Sequence, residues 1–139
     1  MSFERQVTTS AIYKDLSDGV YPQDTDGIGI YVADLRNINV ALVAKDGFEG
    51  TVKLLGSIQK EKPDFSAAAT ITNEYTEVTS VLMSTDDRID GVTGFVFTGA
   101  EDGSYVLQMN TDLLTWIAVQ VSNVTAGTVD FFVTSASNI

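Results

Sequence analysis

Alternation is the property that most restricts what this chain can fold into. From Ile28 to Val133, apolar residues recur at every second position in segment after segment, the spacing that sends neighbouring side chains to opposite faces of a strand. Ile38, Val40, Leu42 and Ala44 alternate with Asn37, Asn39, Ala41 and Val43; Val52, Leu54, Gly56 and Ile58 alternate with Lys53, Leu55, Ser57 and Gln59. Between the two runs stands Lys45-Asp46-Gly47-Phe48-Glu49-Gly50. An Asp-Gly pair between alternating segments signals a tight hairpin turn, because glycine supplies the positive φ such a turn demands. The expectation is a hairpin that reverses at Asp46-Gly47.

Lys60-Glu61-Lys62-Pro63-Asp64 interrupts the pattern with charge and a proline that has no amide to donate, which predicts a loop. Ser66 to Thr72, with three consecutive alanines, is compatible with a short strand or with irregular chain. Further β segments are expected at Thr76 to Met83, Thr93 to Thr98, Ser104 to Asn110, Thr115 to Val121 and Thr128 to Thr134. Turn chemistry separates them at Asp90-Gly91, Gly99 to Gly103, Asn110 to Asp112 and Ser122 to Gly127. The last two segments are read as a terminal hairpin, with Ile117, Val119 and Val121 on one face and Val129, Phe131 and Val133 on another. Phe48, Trp116 and Phe132 fall off these stripes and are expected on the outer face, covered by an N-terminal arm or offered to a neighbour.

About eight short strands, spaced by roughly 8 to 15 residues and with no sustained helical period, predict an all-β fold: an antiparallel β-sandwich, jelly-roll-like, or a small barrel. Parallel sheet is not expected, since no crossover helices are available. Residues 1–27 differ from the rest and are read as an irregular N-terminal arm before a β-sandwich domain at 28–139. Polar residues crowd the arm, yet Ile12, Tyr13, Leu16, Val20 and Tyr21 are too many apolar groups for a solvated tail. The arm is expected to lie against something, such as another subunit. The candidate interaction surface is Ile12, Tyr13, Tyr21, Phe48, Trp116 and Phe132.

Composition narrows the function classes. The 139 residues include no His and no Cys, so the chain forgoes imidazole and thiolate chemistry. With 44% apolar residues, seven Phe, five Tyr and one Trp, it has material for a core without disulfide or metal staples. The formal charge of −11 repels phosphate backbones and anionic lipid surfaces, so neither nucleic acid nor membrane is an expected partner. Met1 to Gln6 opens no apolar core of signal-peptide length, and no stretch approaches the roughly 18 apolar residues of a membrane span, which predicts a soluble protein made without an export signal.

Paired carboxylates remain a route to catalysis, as in glycoside hydrolysis. The candidates are Asp86, Asp87 and Asp90; Glu101 and Asp102; Asp24 and Asp26; Glu74 and Glu77. All but the Glu pair sit in turn-rich segments, where such side chains cap local backbone. Asp24-Thr25-Asp26-Gly27 echoes the opening of a calcium loop but lacks its distant bidentate Glu and flanking helices, and Ser84 to Asp87 has suitable ligand chemistry without such a frame. Asn123-Val124-Thr125 matches the glycosylation pattern but reads as a turn, and Gly27-Ile28-Gly29 has no helix behind it to hold a phosphate. No catalytic residue, cofactor or metal is therefore expected. Tyr31, Tyr75, Tyr105 and Trp116 supply a competing reading: an aromatic platform for sugars, in a carbohydrate- or host-receptor-binding module of a phage tail or fibre.

The run Gly47 to Ser57, then Pro63-Asp64-Phe65-Ser66, Gly91-Val92-Thr93-Gly94, Tyr105 to Asp112, Trp116 to Val121 and Thr128 to Phe131, resembles the small β-sandwich virion proteins of tailed bacteriophages, of the head decoration or auxiliary capsid type. The resemblance covers residues 37–134 and consists of strand and turn patterns. It implies a non-enzymatic structural subunit in the virion, homo-oligomeric, that binds the major capsid protein or other virion proteins and is assembled in the host cytoplasm.

Overall fold

A computed structural model describes residues 5–9, 12–24, 27–33, 35–109 and 114–138 of the chain. These contain no helix. The strands are β1 (Arg5–Thr9), β2 (Tyr13–Leu16), β3 (Gly19–Tyr21), β4 (Gln23–Asp24), β5 (Gly27–Ile28), β6 (Ile30–Tyr31), β7 (Arg36–Ser57), β8 (Thr76–Val78), β9 (Ser80–Leu82), β10 (Asp87–Ile89), β11 (Phe95–Thr98), β12 (Gly103–Met109) and β13 (Trp116–Asn138). Eleven of them form one antiparallel sheet, and β4 and β5 pair separately.

Two strands organise the sheet. β7 runs for 22 residues and β13 for 23, and they pair along nearly their whole lengths. On its other edge β7 carries β12 along 38–44, β11 along 49–52 and β8 along 54–56. The free edge of β13 carries β6, β3, β2 and β1 in turn, so the segment expected as an arm adds strands to its own sheet.

The expected hairpins at Asp46-Gly47 and at Ser122–Gly127 are not reversals. Each is a bend inside one long strand. Positive φ occurs at Asp46 (57°) and Gly47 (70°) on β7, and at Asn123 (56°) and Gly127 (68°) on β13, and the two sites face each other in the pairing. Between the pairs Ser122↔Thr51 and Ala126↔Glu49, β13 takes four steps to two on β7. Between Ala126↔Glu49 and Thr128↔Lys45, β7 takes four to two on β13. The two bulges cancel, and a bulge adds twist and bend without ending the strand. Register is therefore the same on both sides of the bend. A net slip of one residue would have turned every later side chain to the other face.

The core follows from that phase. Ile38, Val40, Leu42, Ala44, Phe48, Val52 and Leu54 of β7 share one face with Ile117, Val119, Val121, Val129, Phe131 and Val133 of β13, and all are buried in a single cluster on the inside of the bend. The two apolar stripes expected on separate faces of a terminal hairpin are thus one stripe. Phe97, Leu107 and Met109 join this cluster from β11 and β12, and Val32 joins it from the segment after β6. A smaller cluster lies on the opposite face, where Phe65 of the irregular segment between β7 and β8 covers Leu55 and Ala118.

Candidate interaction surface

The six candidate surface residues do not form one face. Phe48, expected outside, is 1% exposed: it sits at the bend with its ring 5.2 Å from Phe97, because the paired bulges keep position 48 in phase with the core stripe. Tyr13 and Tyr21 turn inward over Phe131, at ring distances of 5.0 and 6.3 Å. They extend the core under β2 and β3. Trp116 is half-buried, edge-on to Tyr31 at 5.1 Å, with the Lys62 ammonium 5.5 Å from its ring centre and its Nε1 donating to the Lys60 carbonyl at 3.4 Å.

Ile12 and Phe132 do come together, with neighbours that sequence reading missed. Tyr13 pairs with Phe131, which sets Ile12 beside Phe132; Phe132 pairs with Ala41 and Ala41 with Val106. The Met83 amide then bonds the Val106 carbonyl at 3.0 Å. Ile12, Phe132, Ala41, Val106 and Met83 therefore form an apolar row across five segments of the outer face. Ile12 is 59% exposed, Met83 50% and Val106 37%, while Phe132 and Ala41 are half-buried. Val43 and Val81 flank the row, Asn39, Gln108, Thr134 and Ser104 lie around it, and charge stands at its rim in Asp130, which pairs with Val43 and meets Lys45 at 3.0 Å, and in Arg88, which pairs with Val81. No single strand shows this row, because each contributes one residue to it and only the register assembles them.

Four of the candidate acids, Glu74, Asp90, Glu101 and Asp102, accept from backbone amides. The Asp102 carboxylate accepts from the Gly47 and Phe48 amides at 2.9 and 3.2 Å and so braces the bend. Glu101 accepts from the Thr98 hydroxyl at 2.8 Å and the Ala100 amide at 2.7 Å, and the Thr98 hydroxyl, followed by these amides, holds its pKa below the ordinary value. Asp87 binds the Thr85 hydroxyl, Asp90 the Val92 amide, Glu74 the Ser57 hydroxyl and Ile58 amide, and Glu77 pairs with Lys53 at 3.5 Å. The Asp24 side chain and Asp26 lie outside the described residues.

The four rings of the sugar-platform reading are dispersed. Tyr31 adjoins Trp116, but Tyr75 packs on Phe65 at 5.3 Å, and Tyr105 meets Phe95 and Phe97 edge-on at the far side of β7. An open cleft of about 310 Å³ lies at the bend, lined by Glu49, Gly50, Thr51, Val96, Phe97, Thr98, Asn123 and Thr125.

No protein-family model and no curated protein sequence matches the chain. Solved structures do. The SPBc2 prophage-derived protein YomS superposes with a TM-score of 0.59 at 12% identity, over 99% of this chain and 96% of that one. This is the fold of a prophage-derived protein. The PBSX exported protein XepA superposes with a TM-score of 0.59 at 11% identity, over 96% of this chain but only 38% of its own length. At such identities the likeness is one of fold.

Proposed function

We propose that this chain is a phage-encoded virion structural protein without enzymatic activity, specifically an auxiliary or decoration protein that sits on the assembled head as a homo-oligomer. The observation that carries the reading is the end-to-end correspondence with YomS, which pairs 96% of one prophage-derived protein with 99% of this chain. The same reading treats the bent sheet as a β-sandwich, since strands on both sides of the bend share one core. The row from Ile12 to Met83 is the face offered to the head: apolar at its centre, with Asp130, Lys45 and Arg88 at its rim, and carried on a rigid sheet. A stable contact of the ordinary size buries about 1,600 Å² in total, and repetition over a lattice makes weaker contacts sufficient.

Quantitative mass spectrometry of purified particles tests the assignment. The expected result is a copy number in proportion to the major capsid protein. A few copies per particle would move the chain to the tail. Absence from particles, with the protein free in the medium, would overturn the virion reading in favour of a secreted role.

A further inference from the structure

Glycine follows aspartate at five places in this chain, Asp18-Gly19, Asp26-Gly27, Asp46-Gly47, Asp90-Gly91 and Asp102-Gly103, so nearly half of its 11 glycines stand in the pairing most prone to isomerise. The reaction is internal to the pair. The glycine amide nitrogen attacks the aspartate side-chain carboxyl carbon, Cγ; an N–Cγ bond forms, and the amide proton and the carboxyl hydroxyl leave together as water. Water then adds to the main-chain carbonyl of the five-membered imide and breaks its bond to that nitrogen. The peptide link now runs through Cβ and Cγ, mass is unchanged and the backbone is longer by one carbon. Glycine permits the attack because no side chain hinders its nitrogen. Both groups must be free to approach each other, and in a folded chain hydrogen bonds determine which pairs meet that condition.

Asp26 lies outside the described residues. In three of the four described pairs the carboxylate is held. Asp18 accepts from the Val124 amide at 3.0 Å, Asp90 from the Val92 amide at 3.0 Å, and Asp102 from the Gly47 and Phe48 amides at 2.9 and 3.2 Å. At Asp90 the nitrogen is held too, since Gly91 donates to the Thr79 hydroxyl at 3.1 Å, and main-chain atoms of Val78 and Glu77 would lie 2.8 and 3.0 Å from a Cβ on that glycine. Asp46 differs. It is exposed, and its carboxylate meets no partner among the described residues. A Cβ on Gly47 would find nothing nearer than the Gly99 carbonyl at 3.6 Å, so an imide ring has room there. Residues 46–48 also have no pairing partner in the ladders on either side of β7. What holds the Gly47 nitrogen is its hydrogen bond to the Asp102 carboxylate, which fixes the peptide plane that has to rotate before nitrogen can face Cγ.

We propose that Asp46-Gly47 is the leading isomerisation site among the described pairs and that Asp102 sets its rate by holding the Gly47 nitrogen. The consequence falls on the bend. The bulges of β7 and β13 cancel residue for residue, and an extra backbone carbon between Lys45 and Glu49 undoes the match that keeps Phe48 in the core.

The unmodified protein and Asp102→Ala are held at mildly acidic pH, where the carboxyl hydroxyl leaves more readily, and isoaspartate at each pair is followed by peptide mapping with mass spectrometry. In the unmodified protein it is expected at Asp46 before Asp18, Asp90 or Asp102. In Asp102→Ala the Asp46 rate is expected to rise about tenfold relative to Asp90 in the same molecules, the change in population that follows loss of a hydrogen bond to a charged group. Earlier isoaspartate at Asp18, Asp90 or Asp102 of the unmodified protein overturns the proposal. So does an Asp46 rate that is unchanged or slower in folded Asp102→Ala; the slower result would mean that the carboxylate draws the proton from the Gly47 nitrogen and promotes attack. A variant that unfolds brings every pair to a common rate, and the order in the unmodified protein then decides.

Discussion

At the scale of the residue, the bend depends on a few positions where the backbone leaves the extended region. A Cβ on Gly127 would lie 2.5 Å from the Lys45 carbonyl oxygen and 2.6 Å from Phe48 backbone atoms, at a φ of 68°. Gly127→Ala is therefore expected to cost about 2–4 kcal/mol in urea unfolding, combining a left-handed conformation with a clash against main chain that cannot rotate away. Gly47 has a similar φ, but its nearest neighbour is the Gly99 carbonyl at 3.6 Å, so Gly47→Ala is expected to cost only about 1 kcal/mol. Hydrogen bonds from Ser66 and from Thr98 lower the pKa values of Asp64 and Glu101, as the Lys45 ammonium lowers that of Asp15. For such groups the stabilisation is complete above the unfolded carboxylate pKa, near 4, and is lost as pH falls through the lower folded value. Melting temperature is expected to be flat with respect to these groups from pH 7 to about 5 and to decline below about 4; Glu101→Gln should flatten part of that decline. Sequence showed these acids to be turn residues, but not that Asp102 reaches 55 positions back to the Gly47 amide.

At the scale of the element, the strands differ in how well they are covered. Val40 and Leu42 lie on β7 between β13 and β12, fully buried, whereas β10 pairs only with β9 at the end of the sheet. Hydrogen exchange is expected to be slowest at Val40 and Leu42 and fastest, among the strands, at Asp87–Ile89. Asn73→Ala removes the side chain that ties both limbs of the loop together; faster exchange from 64 to 73 with a nearly unchanged global midpoint is the expected result. The strands at 95–98 and 103–109 were legible because each is bounded by turn residues and alternates within itself, whereas the segment expected at 76–83 divides at Thr79 into β8, which pairs with β7, and β9, which pairs with β12 and β10. The two long strands were not, since positive φ at an Asp-Gly pair serves a hairpin turn and a bulge equally well. β10 went unread because three residues carry too little pattern to register as a strand.

At the scale of the molecule, an apolar row distinguishes one outer face from the rest of a strongly acidic surface. Replacing Val106 and Met83 together by Lys is expected to abolish attachment to heads purified without the protein while leaving the circular dichroism spectrum unchanged; undiminished attachment would exclude this face. Phe132 could be suspected of a surface role from sequence because it interrupts a stripe, and Ile12 because it is an apolar residue in a polar arm, whereas Phe48 interrupts nothing once the bulges are counted. By itself the sequence determined the all-β class, the antiparallel pairing and the alternating apolar stripe within each clearly patterned segment, because a period of two is a local property of the chain; which stripes share a face, and that Phe48 belongs to one of them, it did not. Only the tertiary structure decided whether the chain reverses or merely bends at Asp46-Gly47 and Ser122–Gly127. The answer depends on a matching bulge in a partner strand and on a carboxylate from a distant turn, and neither is encoded within the residues that bend.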